Sequence, residues 1–461
     1  MPMRPDRRIL LEWGLVSLIV CALVTLSSLQ GWLWRADLQL YDIALSRQEV
    51  AADPAVVIVA IDNDSLDALG RWPWPRHLHA SLIERLRAAG AGPIGLDLVF
   101  AESGPDDAAL ADAMRRHGRV VLPMLQQVRH GRITGESTPT PRLRAAAARL
   151  GHIQAEFDPD GIVRSTYRYE GWETAATAQF ALALLDLERG TPPRPPGAQG
   201  GPGWQRAGWM RVPFAGPAGS FTQYAYADVL NGRVPDAALR GKTILVGVTS
   251  AGMADAVPVP ESGQLGLMPG VEFHANVLSS LRKDSAIQLL PRWLGALLTA
   301  AICLLQMLLL ARMNARTGLV WTAVVLLGIL LLSVLALAIP ALWIRPASAI
   351  LGCLTAYPLW SWRRLEAMQR YVEAEMKALR AVHLVPAGGH LDPVQQQLGA
   401  LRAAAGLARE AHRLVETVIA HLPVGVVALY ADGRVRVDNR AARELLGADT
   451  PEAVGAALRA L

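Results

Sequence analysis

Three aspartates near the start of the chain are the residues whose type and spacing best suit chemistry. Asp62 and Asp64 follow the apolar run Val56 to Ile61, and Asp97 lies within a second run, Ile94 to Phe100. Converging carboxylates bind a divalent metal ion or act in acid–base catalysis. Hydrolytic metal sites generally add histidines, and no His-x-x-x-His or Cys-x-x-Cys spacing is present. We therefore predict ligand-contacting or structural aspartates, with no catalytic and no metal-binding residues.

A stiff aromatic segment lies between the two apolar runs. Arg71-Trp72-Pro73-Trp74-Pro75-Arg76 contains two prolines, which fix φ and exclude a regular helix, so its two indoles are held on a rigid connection. The indoles either stack on a flat or cationic ligand or form a lid packed on the core. The two arginines either bind an anionic ligand or pair internally with Asp62 or Asp97.

The candidate ligand-binding residues surround these two features. They are Asp62, Asp64, Ser65, Arg71, Trp72, Trp74, Arg76, His79 and Asp97. We expect His79 and His274, on predicted helices, to be hydrogen-bonded structural histidines. No Walker-type phosphate loop and no kinase nucleotide-binding block occurs, so no nucleotide site is predicted.

A βαβ unit positions the candidate residues. Val56 to Ile61 and Ile94 to Phe100 are short and apolar, as strands buried on both faces are. Leucines at fourfold spacing predict a helix from His77 to Ala89, ended by Gly90. A helical crossover makes the two strands parallel, and ligands bind at the carboxyl end of such sheets.

The following residues, up to Arg292, predict more α/β elements and no membrane span. The predictions are a helix from Pro105 to His117, a strand from Val120 to Leu122, strands Gly151 to Gln154 and Ile162 to Tyr167 around the turn Asp158-Pro159-Asp160-Gly161, a helix from Thr174 to Glu188, a loop from Gly190 to Gly208, a strand from Thr243 to Val248 and a helix from Pro269 to Lys283. The whole region is therefore expected on one side of a membrane.

Four apolar spans indicate a membrane protein. They are Trp13 to Leu33, Trp293 to Ala311, Leu319 to Ile339 and Pro346 to Trp362. Three arginines before the first span favour a cytoplasmic N-terminus, and four crossings return the C-terminus to the cytoplasm. We interpret the first span as an uncleaved anchor rather than a signal peptide. The spans contain no Asp, Glu, Lys or Arg, which argues against a transporter.

The charge pattern argues against a nucleic-acid partner. Lys plus Arg number 45 against 40 Asp plus Glu, but the basic residues flank the apolar spans rather than forming one stripe. The three cysteines, Cys21, Cys303 and Cys353, all lie in the spans. The region between the first two spans therefore has no disulfide.

The sequence after the last span predicts a helix and part of another domain. Apolar positions from Val394 to Ile419 alternate steps of four and three, which indicates a parallel two-stranded coiled coil and a homodimer, or else a helix packed on its own protein. His412 lies in this seam and lacks the neighbours of a kinase phosphoacceptor. The segment Leu422 to Leu446 predicts a strand, a tight turn, a returning strand and a short helix. With Asn439-Arg440-Ala441-Ala442 it resembles the opening of a PAS domain, inside which we expect the chain to be cut.

A second resemblance covers more than two hundred residues. Its blocks are Ile61-Asp62, Ser65-Leu66, Leu69 to Arg76, His79, Gly95-Leu96-Asp97, Gly241 to Gly247 and Pro269 to Asn276. In these blocks the chain resembles the CHASE domain of type two, a bacterial extracytoplasmic sensory module. The resemblance implies a sensor input domain that is usually joined to a kinase or cyclase output.

Together these patterns predict an α/β extracytoplasmic sensor domain, an α-helical bundle of four transmembrane helices, a coiled-coil linker and a partial α+β PAS domain. The expected boundaries are residues 1–34 for the N-terminus and first span, 35–292 for the sensor, 293–362 for the other spans, 363–420 for the linker and 421–461 for the incomplete PAS domain.

The expected function is that of an inner-membrane receptor with a periplasmic sensor and both termini in the cytoplasm. It would detect an unidentified ligand or envelope protein and control a missing output, by resemblance a histidine kinase with a response regulator as partner. The alternatives are the receptor of a nucleotide cyclase and a membrane-anchored periplasmic hydrolase that uses the aspartates. No catalytic domain and no cofactor is predicted in this chain, and the PAS segment leaves its own cofactor open.

Overall fold

The structure is a computed structural model that describes residues 7–381, except positions 49, 175, 192–194, 196–200, 251, 254, 263–265 and 340, and a set of residues between 402 and 456. The chain forms two compact units. One comprises Gly14–Tyr357, and the other comprises Met1–Trp13 with Pro358–Leu461.

The described helices are α1 Arg7–Gln30, α2 Trp34–Leu45, α3 Asn63–Leu69, α4 Arg76–Ala88, α5 Asp107–His117, α6 Pro141–Ala146, α7 Phe180–Arg189, α8 Tyr226–Leu230, α9 Asp236–Leu239, α10 Gly270–Lys283, α11 Arg292–Leu310, α12 Ala315–Ala338, α13 Ala347–Ala381 and α14 Arg440–Leu446.

The described strands are β1 Val56–Ile61, β2 Ile94–Leu96, β3 Val120–Arg129, β4 Arg132–Ser137, β5 Arg149–His152, β6 Glu156–Phe157, β7 Val163–Trp172, β8 Thr177–Ala178, β9 Trp204–Arg211, β10 Thr222–Ala225, β11 Thr243–Val248, β12 Ala256–Val257, β13 Met268–Pro269, β14 Gln288–Leu289, β15 Leu342–Trp343, β16 Val427–Leu429 and β17 Val435–Asp438.

A seven-stranded main sheet forms the centre of the larger unit. Its order is β10, β1, β11, β2 and β3, after which β5 and β4 both pair with β3. All pairs are parallel except that of β3 with β4. The expected parallel relation of the first two apolar runs is therefore confirmed, although β11 lies between them. This explains why Thr243 to Val248 is as apolar as its neighbours.

The main sheet is covered by helices on both faces. Val57, Val59 and Ile61 of β1 pack into one core with α4, α5 and α8. The alternate residues of the same strand pack into the other core with α7 and α10. All six residues of β1 are buried, as the twofold side-chain period of a strand between two apolar layers requires.

A smaller antiparallel sheet adjoins the second core. Its central strand β7 pairs with β6, β8 and β9. The turn around Asp158 to Gly161 joins β6 to β7 in an antiparallel pair, so the predicted turn and its second strand are confirmed. The strand predicted from Gly151 to Gln154 is wrong as its partner, because β5 instead extends the main sheet.

Three other predicted boundaries are wrong. β2 ends at Leu96, not Phe100, so Asp97 follows the strand instead of lying within it. The helix expected from Thr174 begins at Phe180, after the short strand β8. β9 begins at Trp204, inside the segment expected to be a loop. The strands β8 and β9 both form by pairing with β7, which the patterns of the individual segments do not reveal.

In the described part of the chain, three helices are long and apolar enough to cross a membrane. They comprise Glu12–Gln30 of α1, together with α11 and α12. The fourth predicted span, Pro346 to Trp362, lies in α13, a continuous helix of 35 residues that contains Pro358 and is not among the three. Of the four predicted membrane spans, three therefore correspond to helices that are long and apolar enough to cross a bilayer.

The smaller unit contains the C-terminal elements. β16 and β17 form an antiparallel pair, followed by α14, whose C-terminus is capped by Gly447 in the left-handed conformation. Asn439 Oδ1 accepts hydrogen bonds from the backbone N–H groups of Val426 and Ala442, both at 2.9 Å. The predicted strand, the returning strand and the short helix are therefore confirmed. The turn at residues 431–434 and most seam positions of the predicted coiled coil, including Val394, lie outside the described residues.

Candidate functional site

Three neighbouring strands of the main sheet end side by side at what we call the carboxyl edge. Asp62 follows β1, and Asp97 follows β2. Thr249 and Ser250, which follow β11, donate their backbone N–H groups to the Ile61 carbonyl at 3.1 and 3.2 Å. These bonds fix the strand ends together. The candidate aspartates therefore lie at the edge that the parallel sheet predicts for ligands.

Asp62 caps a helix that the sequence interpretation missed. Its Oδ1 accepts the backbone N–H of Ser65 at 2.9 Å, at the start of α3. Ser65 is fully buried, and its Oγ accepts the N–H of Ala227 at 3.1 Å. Asp64 is exposed in the first turn of α3. The missed signal was the aspartate three residues before a serine, since Asp is a strong N-cap residue.

Asp97 is the carboxyl group of the edge whose environment most alters its chemistry. Its backbone N–H donates to Val246 O at 2.8 Å, and its Oδ2 lies 3.8 Å from the point where a Cβ on Gly270 would stand. Burial, followed by the charge of Asp255, raises the pKa of Asp97 to about 7. The group therefore exchanges a proton near neutral pH, in contact with the first residue of α10.

The two indoles belong to a buried aromatic cluster. The rings of Trp72 and Trp74 meet edge to face at 5.2 Å, and Trp74 donates its Nε1–H to Gly70 O at 2.8 Å. His79 is buried against both rings, and its Nδ1 hydrogen-bonds the Tyr226 hydroxyl at 2.9 Å. Burial lowers the pKa of His79 to about 4, so the ring is neutral at neutral pH. Trp74, exposed by only 4%, packs as part of a lid, whereas Trp72 keeps a partly open ring.

The two arginines of the aromatic segment have different surroundings. Arg76 pairs with Asp107, donates to the Glu102 carbonyl and stacks on Phe100. Arg76 therefore pairs internally, as one of the two predicted alternatives states, but its partner is Asp107 rather than Asp62 or Asp97. Arg71 is exposed.

The ligand-binding role of all nine candidate residues stays a prediction, and Ser65, Trp74 and His79 are buried in this conformation.

The segment Pro269 to Asn276 has a supporting role that sequence reasoning missed. Glu272 is fully buried on α10, and its carboxylate accepts the backbone N–H groups of Gly219 and Ser220 at 2.8 to 2.9 Å. Asn276 Oδ1 accepts Ala215 N at 2.8 Å. The signal was a pair of polar residues four apart, about one helical turn, on a predicted helix. This pair fixes the loop that leads into β10, the edge strand that pairs with β1.

A buried arginine links the smaller antiparallel sheet to α2. Arg164 is fully buried, and its guanidinium donates to Asp42 at 2.6 and 2.8 Å, to Asp158 at 2.8 Å and to Asp160 at 2.8 and 2.9 Å. We call these four residues the Arg164 cluster. A buried charge is tolerated only when it is paired in this way. The turn Asp158 to Gly161, which was predicted only as a turn, thus supplies two of its carboxylates.

Helix α2 also contacts the segment that leads into α13. The Tyr41 ring meets Trp343 edge to face at 5.2 Å, and Arg211 lies over Tyr41 at 4.5 Å. Asp37 Oδ1 accepts the N–H of Ala347, the first residue of α13, at 2.9 Å. A short helix that directly follows the first apolar span therefore touches both the smaller antiparallel sheet and the start of α13.

Within the described residues, no group of three or more His, Cys, Asp or Glu side chains is arranged to hold a metal ion. The site therefore offers hydrogen-bonding, proton-exchanging and aromatic groups.

Comparison with known proteins places the chain in a family. The model of a family described as the CHASE2 domain matches residues 16–311, which is more than half of the 461 residues. No curated protein and no solved structure gives a significant match. The matched segment begins in α1 and ends at the close of α11, and so includes the whole region between the first two apolar spans.

Proposed function

The chain belongs to the CHASE2 domain family, and from this premise we propose that it is a multi-pass receptor of a bacterial inner membrane. The family is one of extracytoplasmic sensor domains found in signalling receptors. In the proposal, a periplasmic signal changes the sensor, the membrane helices transmit the change, and a cytoplasmic output responds.

One observation carries the proposal: α2 is bonded both to the sensor domain, where a signal would arrive, and to the start of α13, which would carry the signal onward. Asp42 on α2 binds Arg164 in the sensor, and Asp37 on α2 binds the first residue of α13. A ligand shifts an equilibrium only by its different affinity for two arrangements. Through the contacts of α2 with Arg164 and with Ala347, a change in the arrangement of the sensor would act directly on α13.

The proposed topology has four crossings and both termini in the cytoplasm. Three of the crossings are the apolar helices described above, and the fourth is the first half of α13. Its apolar part begins at Ala347 and ends before Arg363 and Arg364. Positive residues on the cytoplasmic side of a span agree with this orientation.

The proposed cytoplasmic part continues α13 into a dimeric linker, a PAS domain and an output. Leu365, Met368 and Tyr371 are apolar and exposed on α13, which supports a helical seam with a second copy of the chain. By resemblance the output is a histidine kinase, and its partner is a response regulator. The ligand site is proposed at the carboxyl edge, with Asp97 and the partly open Trp72 among the residues that contact the ligand.

Side-specific labelling tests the topology. Asp67, exposed on α3, and Met368 are each replaced by cysteine, and intact spheroplasts are treated with a maleimide that does not cross membranes. We expect Asp67→Cys to react at once and Met368→Cys to react only after permeabilisation. Reaction of both positions from the same side would refute the proposal, and the unmodified chain controls for the three cysteines in the apolar spans.

A further inference from the structure

Asp37 is an acidic residue buried where three parts of the larger unit meet. It lies on α2, seven positions after the end of α1, and is exposed by only 6%. Its carboxylate accepts the N–H of Ala347 at the N-terminus of α13. The next residue, Ser348, hydrogen-bonds Ser27 of α1 at 3.2 Å. The start of α13 is thus fastened to the end of the first span and to α2 together.

The charges around Asp37 leave its carboxylate only partly compensated. Arg345, in the segment before α13, is the nearest cation that acts on it, but its guanidinium donates to Leu290 O at 3.2 Å. Arg292 of α11 and Arg211 of β9 act on Arg345 rather than on Asp37. Burial, only partly offset by the bond from Ala347 and the charge of Arg345, raises the pKa of Asp37 to about 6.

We propose that Asp37 is a proton-binding site through which the acidity of the extracytoplasmic space controls the attachment of α13 to α2. The inference rests on the proposed receptor function, and it adds the proton as a signal that acts beside any ligand at the carboxyl edge.

The proton acts on a helix N-terminus. The hydrogen bond from Ala347 and the positive end of the α13 dipole favour the ionised carboxylate, but burial outweighs them and leaves the pKa of Asp37 raised. The attached state therefore binds the proton more tightly than a state in which Asp37 is open to water. The attachment is strongest below about pH 4 and weakens as the pH rises through about 6, because the ionised carboxylate gains hydration when the first turn of α13 loosens.

Infrared titration of the full chain in lipid nanodiscs measures the proton directly. The difference between spectra of the wild type and of Asp37→Asn isolates the carbonyl stretch of the protonated Asp37 side chain. We expect this band to appear with a midpoint near pH 6, and Asp67→Asn, at an exposed position, to leave it in place. A midpoint near 4, the ordinary value for aspartate, would overturn the proposal.

Hydrogen exchange in the first turn of α13 measures the consequence. After correction for the intrinsic pH dependence, we expect exchange at residues 347–350 to be several-fold faster at about pH 7.5 than at about pH 5 in the wild type. Asp37→Asn, which imitates the neutral state, should exchange slowly at both values, whereas Asp67→Asn should behave as the wild type. Equal corrected exchange at both pH values in the wild type would refute the switch. That result would leave the receptor function standing, because the coupling between the Arg164 cluster and α13 is measured separately at neutral pH.

Discussion

Asp97 shows how the end of a strand creates a group with unusual acidity. Because β2 stops at Leu96, the Asp97 carboxyl is held under the first residue of α10 and near Asp255. Both burial and a like charge disfavour ionisation. A carboxyl that exchanges protons near neutral pH donates or accepts a hydrogen bond according to its ligand. Perturbed groups of this kind are concentrated at functional sites.

Replacement of Asp97 by asparagine should flatten the pH dependence of stability. Between about pH 4 and 7 the folded state keeps a proton that the unfolded state has lost, so the Asp97 contribution is present below about 4 and disappears as the pH rises through about 7. The full effect is at most about 4 kcal/mol. We expect the difference in free energy of unfolding between wild type and Asp97→Asn to change by at least about 1 kcal/mol from pH 5 to 8. Asp67→Asn is the control, and a constant difference would contradict the account.

Arg164 is expected to be the most sensitive charged residue of the sensor. Arg164→Met removes the cation that neutralises three neighbouring carboxylates, and loss of one partner from a buried ionic cluster costs about 3–5 kcal/mol. Arg233→Met, which breaks an exposed pair with Asp228, should cost less than about 1 kcal/mol. Chemical denaturation of the two variants in the same lipid measures both values. Similar losses would show that the Arg164 cluster is not a structural anchor.

The roles of individual residues were only partly predictable. The sequence correctly indicated that His79 and His274 are hydrogen-bonded: the Gln179 amide donates to His274 Nδ1 at 3.1 Å. It did not indicate that Asp107 is the partner of Arg76, or that Asp42 and Arg164 meet, since these pairs are 31 and 122 positions apart. Local patterns carry no information about such pairings.

At the scale of elements, tight packing between β5 and α7 is a strict steric constraint within the sensor. The backbone of Gly151 in β5 is so close to α7 that a Cβ there would stand 2.5 Å from Phe180 Cα. The contact joins the main sheet to the second core. Because a backbone atom cannot move aside as a flexible side chain does, only glycine fits at this position.

Alanine at Gly151 should therefore be destabilising, although alanine usually favours folding over glycine. We expect Gly151→Ala to lower the melting temperature. The free energy of unfolding should fall by at least about 1–3 kcal/mol. Gly135→Ala is the matched control, because its Cβ would meet only the flexible Gln127 side chain at 3.4 Å. Equal stability of the two variants would show that α7 is not held against β5 as described.

The elements themselves follow from the sequence where the pattern is strong. β1 and β11 have the predicted limits and α4 begins one residue early, because apolar runs and fourfold leucine spacing reflect burial directly. The short strands β6, β8, β12 and β13 have only two residues each. Each pairs with a strand close by in the chain, but a two-residue pattern is too short to indicate a strand.

At the scale of the whole molecule, membership of the CHASE2 family and the apolar spans indicate the organisation, and the contacts of α2 are the basis of the proposed signalling route. The resemblance was recognisable because its blocks, such as Leu69 to Arg76 and Pro269 to Asn276, occur in order and are unusual in composition. The sequence did not predict these contacts of α2. They depend on two aspartates five positions apart, of which Asp37 binds Ala347 of α13 and Asp42 binds Arg164 of β7.

The proposed dimer provides a way to observe transmission. Met368 lies with Leu365 on the exposed apolar side of α13, whereas Ala374 is exposed on another side of the same helix. In a parallel pair of helices, cysteine at Met368 should form a disulfide across the dimer faster than cysteine at Ala374. The rate of that reaction reports the spacing of the two helices.

The most direct test of the account is this cross-linking rate when the sensor is released from α2. Asp42→Asn removes one carboxylate from Arg164 and leaves Asp158 and Asp160 in place, so the fold should persist. We predict that Asp42→Asn changes the cross-linking rate of Met368→Cys several-fold in nanodiscs at neutral pH, whereas Asp228→Asn, which breaks the exposed pair with Arg233, leaves it unchanged. An unchanged rate in folded Asp42→Asn protein would contradict transmission from the sensor through α2.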